Sequence, residues 1–250
     1  MSEYTPQTNY FNLANFLSKL ENFLFVISFL ISIFLSIFLK DSIISDILSI
    51  LFLVSLTIIS FAQSYYQNKG EYKRRLDFID NSFGTKFIID TSIGYFSNSN
   101  VDIGLKKALV NVFENLFFSS YIANKMKNKS LIKMIIGVFI MLGFCIYGLA
   151  NSSLGLPILQ LFLSKYFIED FILLNNYTKT LESIEKDIIN IIECDTSLDK
   201  VKVEANIVKI LISYESNISF SKILLDNNIF NKYNEYLSKK WIEIKNKYNL

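Results

Sequence analysis

The chain has 250 residues, 51% hydrophobic and 15% aromatic, with only 8 glycines and 2 prolines. Such a composition is too apolar for an ordinary soluble domain and too poor in turn residues for a sheet-rich one, so helix is the expectation. A net charge of +2 gives no field that would draw nucleic acid, and the absence of histidine removes Ser–His and Cys–His catalytic sets, HExxH zinc sites and histidine pH switches.

Residues 1–22 read as an N-terminal cytoplasmic segment. The first apolar run, Phe23 to Leu39, is interrupted only by Ser28, Ser32 and Ser36. That is the length of a short membrane-spanning helix. A signal peptide is the rival, disfavoured by the late start and by the lack of a basic n-region and a small-residue cleavage site. Lys40-Asp41 opens a polar turn, and a second run from Ile43 to Ala62 is broken only by Asp46 and small hydroxyl residues. Residues 23–62 are therefore expected to form a transmembrane helical hairpin.

Residues 63–130 read as a cytoplasmic insert. Gln63 to Asn81 is predicted to continue as helix through Lys73-Arg74-Arg75. Gly84, Thr91-Ser92 and Ser97-Asn98-Ser99-Asn100 punctuate a compact region beyond that helix, in which Phe87-Ile88-Ile89 suits a short strand or a buried extended segment. An amphipathic helix is predicted from about Ile103 to Met126, with Leu105, Leu109, Val112, Leu116 and Ser120 on one face. Asp102 sits where an N-cap would, and Lys125, Lys127 and Lys129 complement the C-terminal dipole.

A second transmembrane hairpin is predicted over residues 131–165. Met134 to Ala150 is apolar throughout, Asn151-Ser152-Ser153 supplies a turn, and the run from Leu154 meets Gln160, Ser164 and Lys165. Residues 166–250 are expected to form a cytoplasmic helical bundle. Phe167, Leu174, Leu181 and Ile188 recur at heptad spacing, as do Tyr177, Ile184 and Ile191. Thr196-Ser197 breaks the pattern, a second helix carries Val201, Ala205, Val208 and Leu211, and a last one carries Phe230, Tyr233, Leu237, Trp241 and Ile244. The expected fold is thus an all-α membrane protein with two transmembrane hairpins, a cytoplasmic insert and a C-terminal cytoplasmic bundle.

Lysine and arginine set the orientation. The two outer turns hold only Lys40, whereas the insert holds Lys69, Lys73, Arg74, Arg75, Lys86, Lys106, Lys107, Lys125, Lys127 and Lys129. The positive-inside bias places the insert and both termini on the cytoplasmic side of the inner membrane.

Three features are candidates for function. The first is a stripe of small hydroxyls: Ser28, Ser32 and Ser36 on one helix, and Ser45, Ser49, Thr57 and Ser60 on the next. Such stripes hold helices close together or, in an oligomer, line a wet path. The second is Lys165 with Glu169 four residues on, either an intramembrane charge or a snorkelling one. The third is Arg74, Arg75, Asp77 and Asp80, which would meet anionic headgroups or a ligand, or form a salt-bridged helix surface. Cys145 and Cys194 make no CxxC pair, so no metal and no cofactor is expected.

The layout of hairpin, insert, hairpin and helical tail resembles the S-4TM class of pore-forming effectors. These are four-helix membrane proteins of bacterial anti-phage and nucleotide-signalling systems. The local matches are Arg75-Leu76-Asp77-Phe78-Ile79-Asp80 and the basic lead into the second hairpin, Lys125 to Lys133. The resemblance covers most of the chain. It implies membrane disruption without catalysis, triggered by an upstream sensor protein or nucleotide signal, by a homo-oligomer in the lipid bilayer and without nucleic acid. The rivals are a structural or adaptor protein whose spans anchor a helical scaffold, a transporter component and, last, a membrane enzyme.

Overall fold

The computed structural model describes residues 5–38, 43–93, 95–96, 98–147, 169–194 and 199–250. The described residues are all-α, in six helices and without a strand: α1 (Thr8–Phe38), α2 (Ile43–Phe83), α3 (Leu105–Tyr147), α4 (Asp170–Cys194), α5 (Lys200–Ser221) and α6 (Asn227–Tyr248). The turns at Lys40-Asp41, Asn151-Ser153 and Thr196-Ser197, the run from Leu154 to Phe167 with Lys165, and the side chains of Ser32, Ser36, Ser45 and Ser49 lie outside the described set.

Two compact units are present. One comprises residues 1–9, 69–126 and 174–250, the other residues 10–68 and 127–173. The first has a hydrophobic core assembled from five helices. Phe78 of α2, Val112, Phe113 and Leu116 of α3, Leu181, Ile184 and Ile188 of α4, Ile210 and Tyr214 of α5, and Trp241 of α6 are all buried in one cluster. Trp241 packs edge-on to Phe113 at 5.4 Å between ring centroids and stacks on Phe117 at 6.2 Å. The insert and the tail therefore share a core, and neither is a layer of its own. Of the described heptad positions of α4, Leu174, Tyr177, Leu181, Ile184 and Ile188 are buried and Ile191 is half-buried against the same cluster.

Local chemistry sets the helix ends. Asp199 accepts from the Val201 backbone N–H and opens α5, and Asp226 accepts from that of Asn228 and opens α6. Gly84, at φ +68, closes α2 by donating its N–H to the Asp80 carbonyl at 2.9 Å. This is the left-handed cap for which glycine is suited. Gly104 then donates to the Ser82 carbonyl at 2.9 Å, satisfying another of the orphan acceptors at that end.

Four expectations need correction. Helix α3 does not stop near Met126; it runs unbroken to Tyr147, so Lys125, Lys127 and Lys129 lie mid-helix. Its first intrahelical bond is Ala108 N–H to the Gly104 carbonyl, which puts Gly104, not Asp102, at the cap. Phe87-Ile88-Ile89 is neither strand nor buried: Phe87 and Ile89 are exposed, and two backbone N–H groups there are held by a carboxylate. On α5 the core face is Ile207, Ile210 and Tyr214, with Leu211 half-buried against the core, while Val201, Ala205 and Val208 point to the outside.

The second unit has a different surface. Phe23, Leu30 and Phe34 of α1, Leu53, Ile58 and Phe61 of α2, and Ile132, Ile136 and Phe139 of α3 are all exposed. Among the described residues one helical segment, Ile50–Phe83, is long and apolar enough to cross a membrane.

Leu181→Ala, at a fully buried seam position, is expected to cost about 2–5 kcal/mol. Gly84→Ala places a Cβ 3.1 Å from the Ile103 side chain in left-handed backbone and is expected to cost about 1–2 kcal/mol. Thermal unfolding of the detergent-purified chain reads both; unchanged midpoints would contradict this core and this cap.

Candidate functional site

A dense polar cluster forms where α2 leaves its apolar half behind. Glu71, Arg74, Asp77, Asp80 and Asn81 recur at helical spacing over its last turns. Arg74 donates Nε to Glu71 Oε2 at 2.9 Å, and its Nη1 and Nη2 grip both oxygens of Glu215 on α5 at 3.1 and 2.6 Å. The fork geometry of guanidinium suits this two-pronged grip on a carboxylate. Arg75 is more exposed and reaches Glu215 at 3.7 Å. Burial disfavours the Arg74 charge, but the Glu71 and Glu215 carboxylates outweigh it and push the guanidinium pKa up.

The two aspartates hold the loop between α2 and α3. Asp77 accepts the Ser92 backbone N–H at 2.8 Å and is bonded by the Ser92 hydroxyl as well. Asp80 accepts the Thr85 hydroxyl at 2.7 Å and the backbone N–H groups of Phe87 and Ile88 at 2.9 and 3.0 Å. Burial favours the neutral acid at Asp80, yet those three donors prevail and hold its carboxyl below the usual aspartate range. Beside them, Asn111 of α3 donates to Asn81 Oδ1 and Ser82 Oγ at 3.0 and 3.1 Å. Asn98 donates to Asn111 Oδ1 at 2.9 Å and to Glu114 Oε2 at 2.8 Å. Tyr177 lies against this region, its phenol pushed up to about 12 by burial.

The structure thus brings Arg74, Arg75, Asp77 and Asp80 together; Arg74, Asp77 and Asp80 turn inward, and Arg75 stays exposed. Arg74 is committed to two glutamates, and the aspartates to loop donors. The cluster is a joint: it ties α2 to α5 through an ion pair and fixes the α2–α3 loop. Among the described residues no group of three or more Asp, Glu or Cys side chains is disposed to hold a metal. Sequence reasoning missed Glu215, Asn98, Asn111 and Glu114. The legible signal was a polar Asn111 within the apolar run Ala108–Phe113.

Of the hydroxyl stripes, Ser28 donates to the Phe25 carbonyl at 2.8 Å and Thr57 to the Leu53 carbonyl at 2.8 Å, while Ser60 is half-buried. Ser55, off the predicted stripe, does the same to Leu51. Hydroxyls satisfied by their own helix need no neighbour in an apolar medium.

Compared with protein families, characterised proteins and solved structures, the chain matches none.

Arg74→Gln would take the guanidinium from the half-buried Glu71 and Glu215, leaving Glu215 only the longer contact to Arg75. A loss of about 3 kcal/mol is expected, typical of removing one partner from a buried pair, and Arg74→Lys should not restore it because the two-pronged bond is lost. For Asp80 the folded pKa lies below that of an unfolded aspartate, about 3.9. Its contribution is therefore complete above that pH and is lost as pH falls through the folded pKa. Asp80→Asn should lower stability at pH 7 and flatten its decline below about pH 4. Parallel acid-denaturation curves would contradict the role given to Asp80.

Proposed function

We propose that this chain is a multi-pass effector of the bacterial inner membrane. Two hairpins, residues 23–62 and 131–165, cross the bilayer, with both termini and the insert in the cytoplasm. Copies associate, and a shift of the cytoplasmic helices opens a path for ions along the small hydroxyl faces. The trigger is a sensor protein or a nucleotide signal, and the setting is anti-phage defence. The action is physical and not catalytic.

One observation carries the membrane part. The most apolar stretch of the Ile50–Phe83 helix is only 11% buried. A core helix of a soluble protein passes the same hydropathy test but hides that surface; here it is turned outward, where water would penalise it. Exposed apolar side chains on α1 and α3 add to it, as does the lysine and arginine asymmetry. The effector part draws on the resemblance and on the joint, since Arg74 sits on the same helix as Thr57 and Ser60 and a displaced α5 would pull on it.

The bonds of Ser28 and Thr57 to their own helix carbonyls favour a second reading. In it the stripes are helix glue, and the spans anchor a helical scaffold.

Controlled expression in bacteria separates the two. A pore depolarises the cells, and Ser32→Leu suppresses this at unchanged protein level while Ser32→Ala does not. An anchor gives no depolarisation, and Ser32→Leu then lowers only the amount of protein in the membrane. Reporters after Asp41 and Ser152 should read as external and those at Asn100 and Leu250 as cytoplasmic; a cytoplasmic signal at Ser152 would remove the second hairpin.

A further inference from the structure

Helix α5 carries apolar residues on two nearly opposite sides. Ile207, Ile210 and Tyr214 face the core. At 100° per residue, Val201, Ala205, Val208 and Ile212 gather on the other side. Val201 is 69% exposed, Val208 42% and Ile212 61%, and Ala205 is exposed with them. Their spacing of four, three and four is that of a coiled-coil seam, with Val201 and Val208 at d and Ala205 and Ile212 at a. A helix apolar on both sides is ordinarily enclosed on both.

We propose that this outer face is a self-association seam on which α5 of a second copy packs in parallel. Charge selects a second copy as the occupant. In this register Glu204 takes position g and Lys209 the e position of the following heptad, the pair that bridges strands of a parallel coiled coil. Two-fold symmetry supplies the contact twice, so the seam complements itself. Lys209 Nζ lies 2.8 Å from Asp187 of α4, which holds it at the seam's edge, and its ammonium has three donors to share. The choice of parallel over antiparallel also rests on the membrane reading proposed above. Copies inserted the same way in one bilayer are related by an axis along the membrane normal, so their equivalent helices run in the same direction. Four seam positions fall short of the three to four heptads of a free-standing coiled coil. The seam therefore works in copies that the bilayer has already concentrated.

Disulfide trapping of the full-length chain in bacterial membranes tests this, with Cys145 and Cys194 replaced by serine and one cysteine introduced at a time. Val201→Cys, Val208→Cys and Ile212→Cys should each give a dimer of the chain, several-fold more than Asn206→Cys, which is exposed but off the seam. An antiparallel pair would trap neither Val201→Cys nor Ile212→Cys with itself. Adding Glu204→Lys should cut the Val208→Cys dimer several-fold. Yields no higher than at Asn206, adducts with a protein of another size, or indifference to Glu204→Lys would overturn the proposal. Membrane potential read in the same cultures keeps the two ideas apart. Trapping without depolarisation sinks the effector reading and leaves the seam, whereas depolarisation without trapping removes the seam alone.

Discussion

Helix α2 is 41 residues long without a break, about 60 Å of axis, against about 30 Å of hydrocarbon in a bilayer. No single solvent suits all of it. Its first half turns Leu53, Ile58 and Phe61 outward, while its last turns bury Asp77, Asp80 and Ser82. An outward apolar surface demands an apolar neighbour, and an inward polar one demands that each buried group find a bond.

The second demand explains why the joint is built as it is. An arginine shared by two glutamates contributes little net stability, because desolvation offsets most of the attraction. Its value is geometric: both guanidinium prongs must meet Glu215, which fixes the rotation of α5 relative to the end of α2. With α5 held that way, Ile210 and Tyr214 face the core and Val208 and Ile212 face out. Asp77 and Asp80 do the same for the loop. By fixing the backbone near Ser92, Phe87 and Ile88 they allow an irregular segment with exposed apolar side chains to keep one conformation.

Periodic, locally determined features were legible in the sequence. The seam of α4 could be read because one apolar stripe at heptad spacing has one core to face, and the extension of α2 past its apolar run because Gln63 to Asn81 holds no proline and a single glycine, Gly70. Features that depend on distant partners were not. Val201, Ala205 and Val208 form a genuine stripe, but α5 has a second one, and periodicity cannot say which faces the core. Phe87-Ile88-Ile89 has strand-like composition, yet the Phe87 and Ile88 backbone donors go to Asp80, and among the described residues no strand lies beside them. The lysines near 125–129 resemble a helix end in charge while the chain simply continues through them. Arg74 was legible as a candidate contact residue or part of a salt-bridged helix surface, but its partner Glu215 lies 141 positions away, beyond the reach of any local pattern.

Whether the outward face of α2 meets lipid is the point on which everything functional rests. A spin label at Leu53→Cys, in a chain otherwise free of cysteine and reconstituted into vesicles, measures it by paramagnetic accessibility. The label should be open to oxygen and closed to an aqueous nickel chelate, while a reference label at the exposed Phe220→Cys shows the reverse. A Leu53 label as open to the chelate as the Phe220 label would contradict the account.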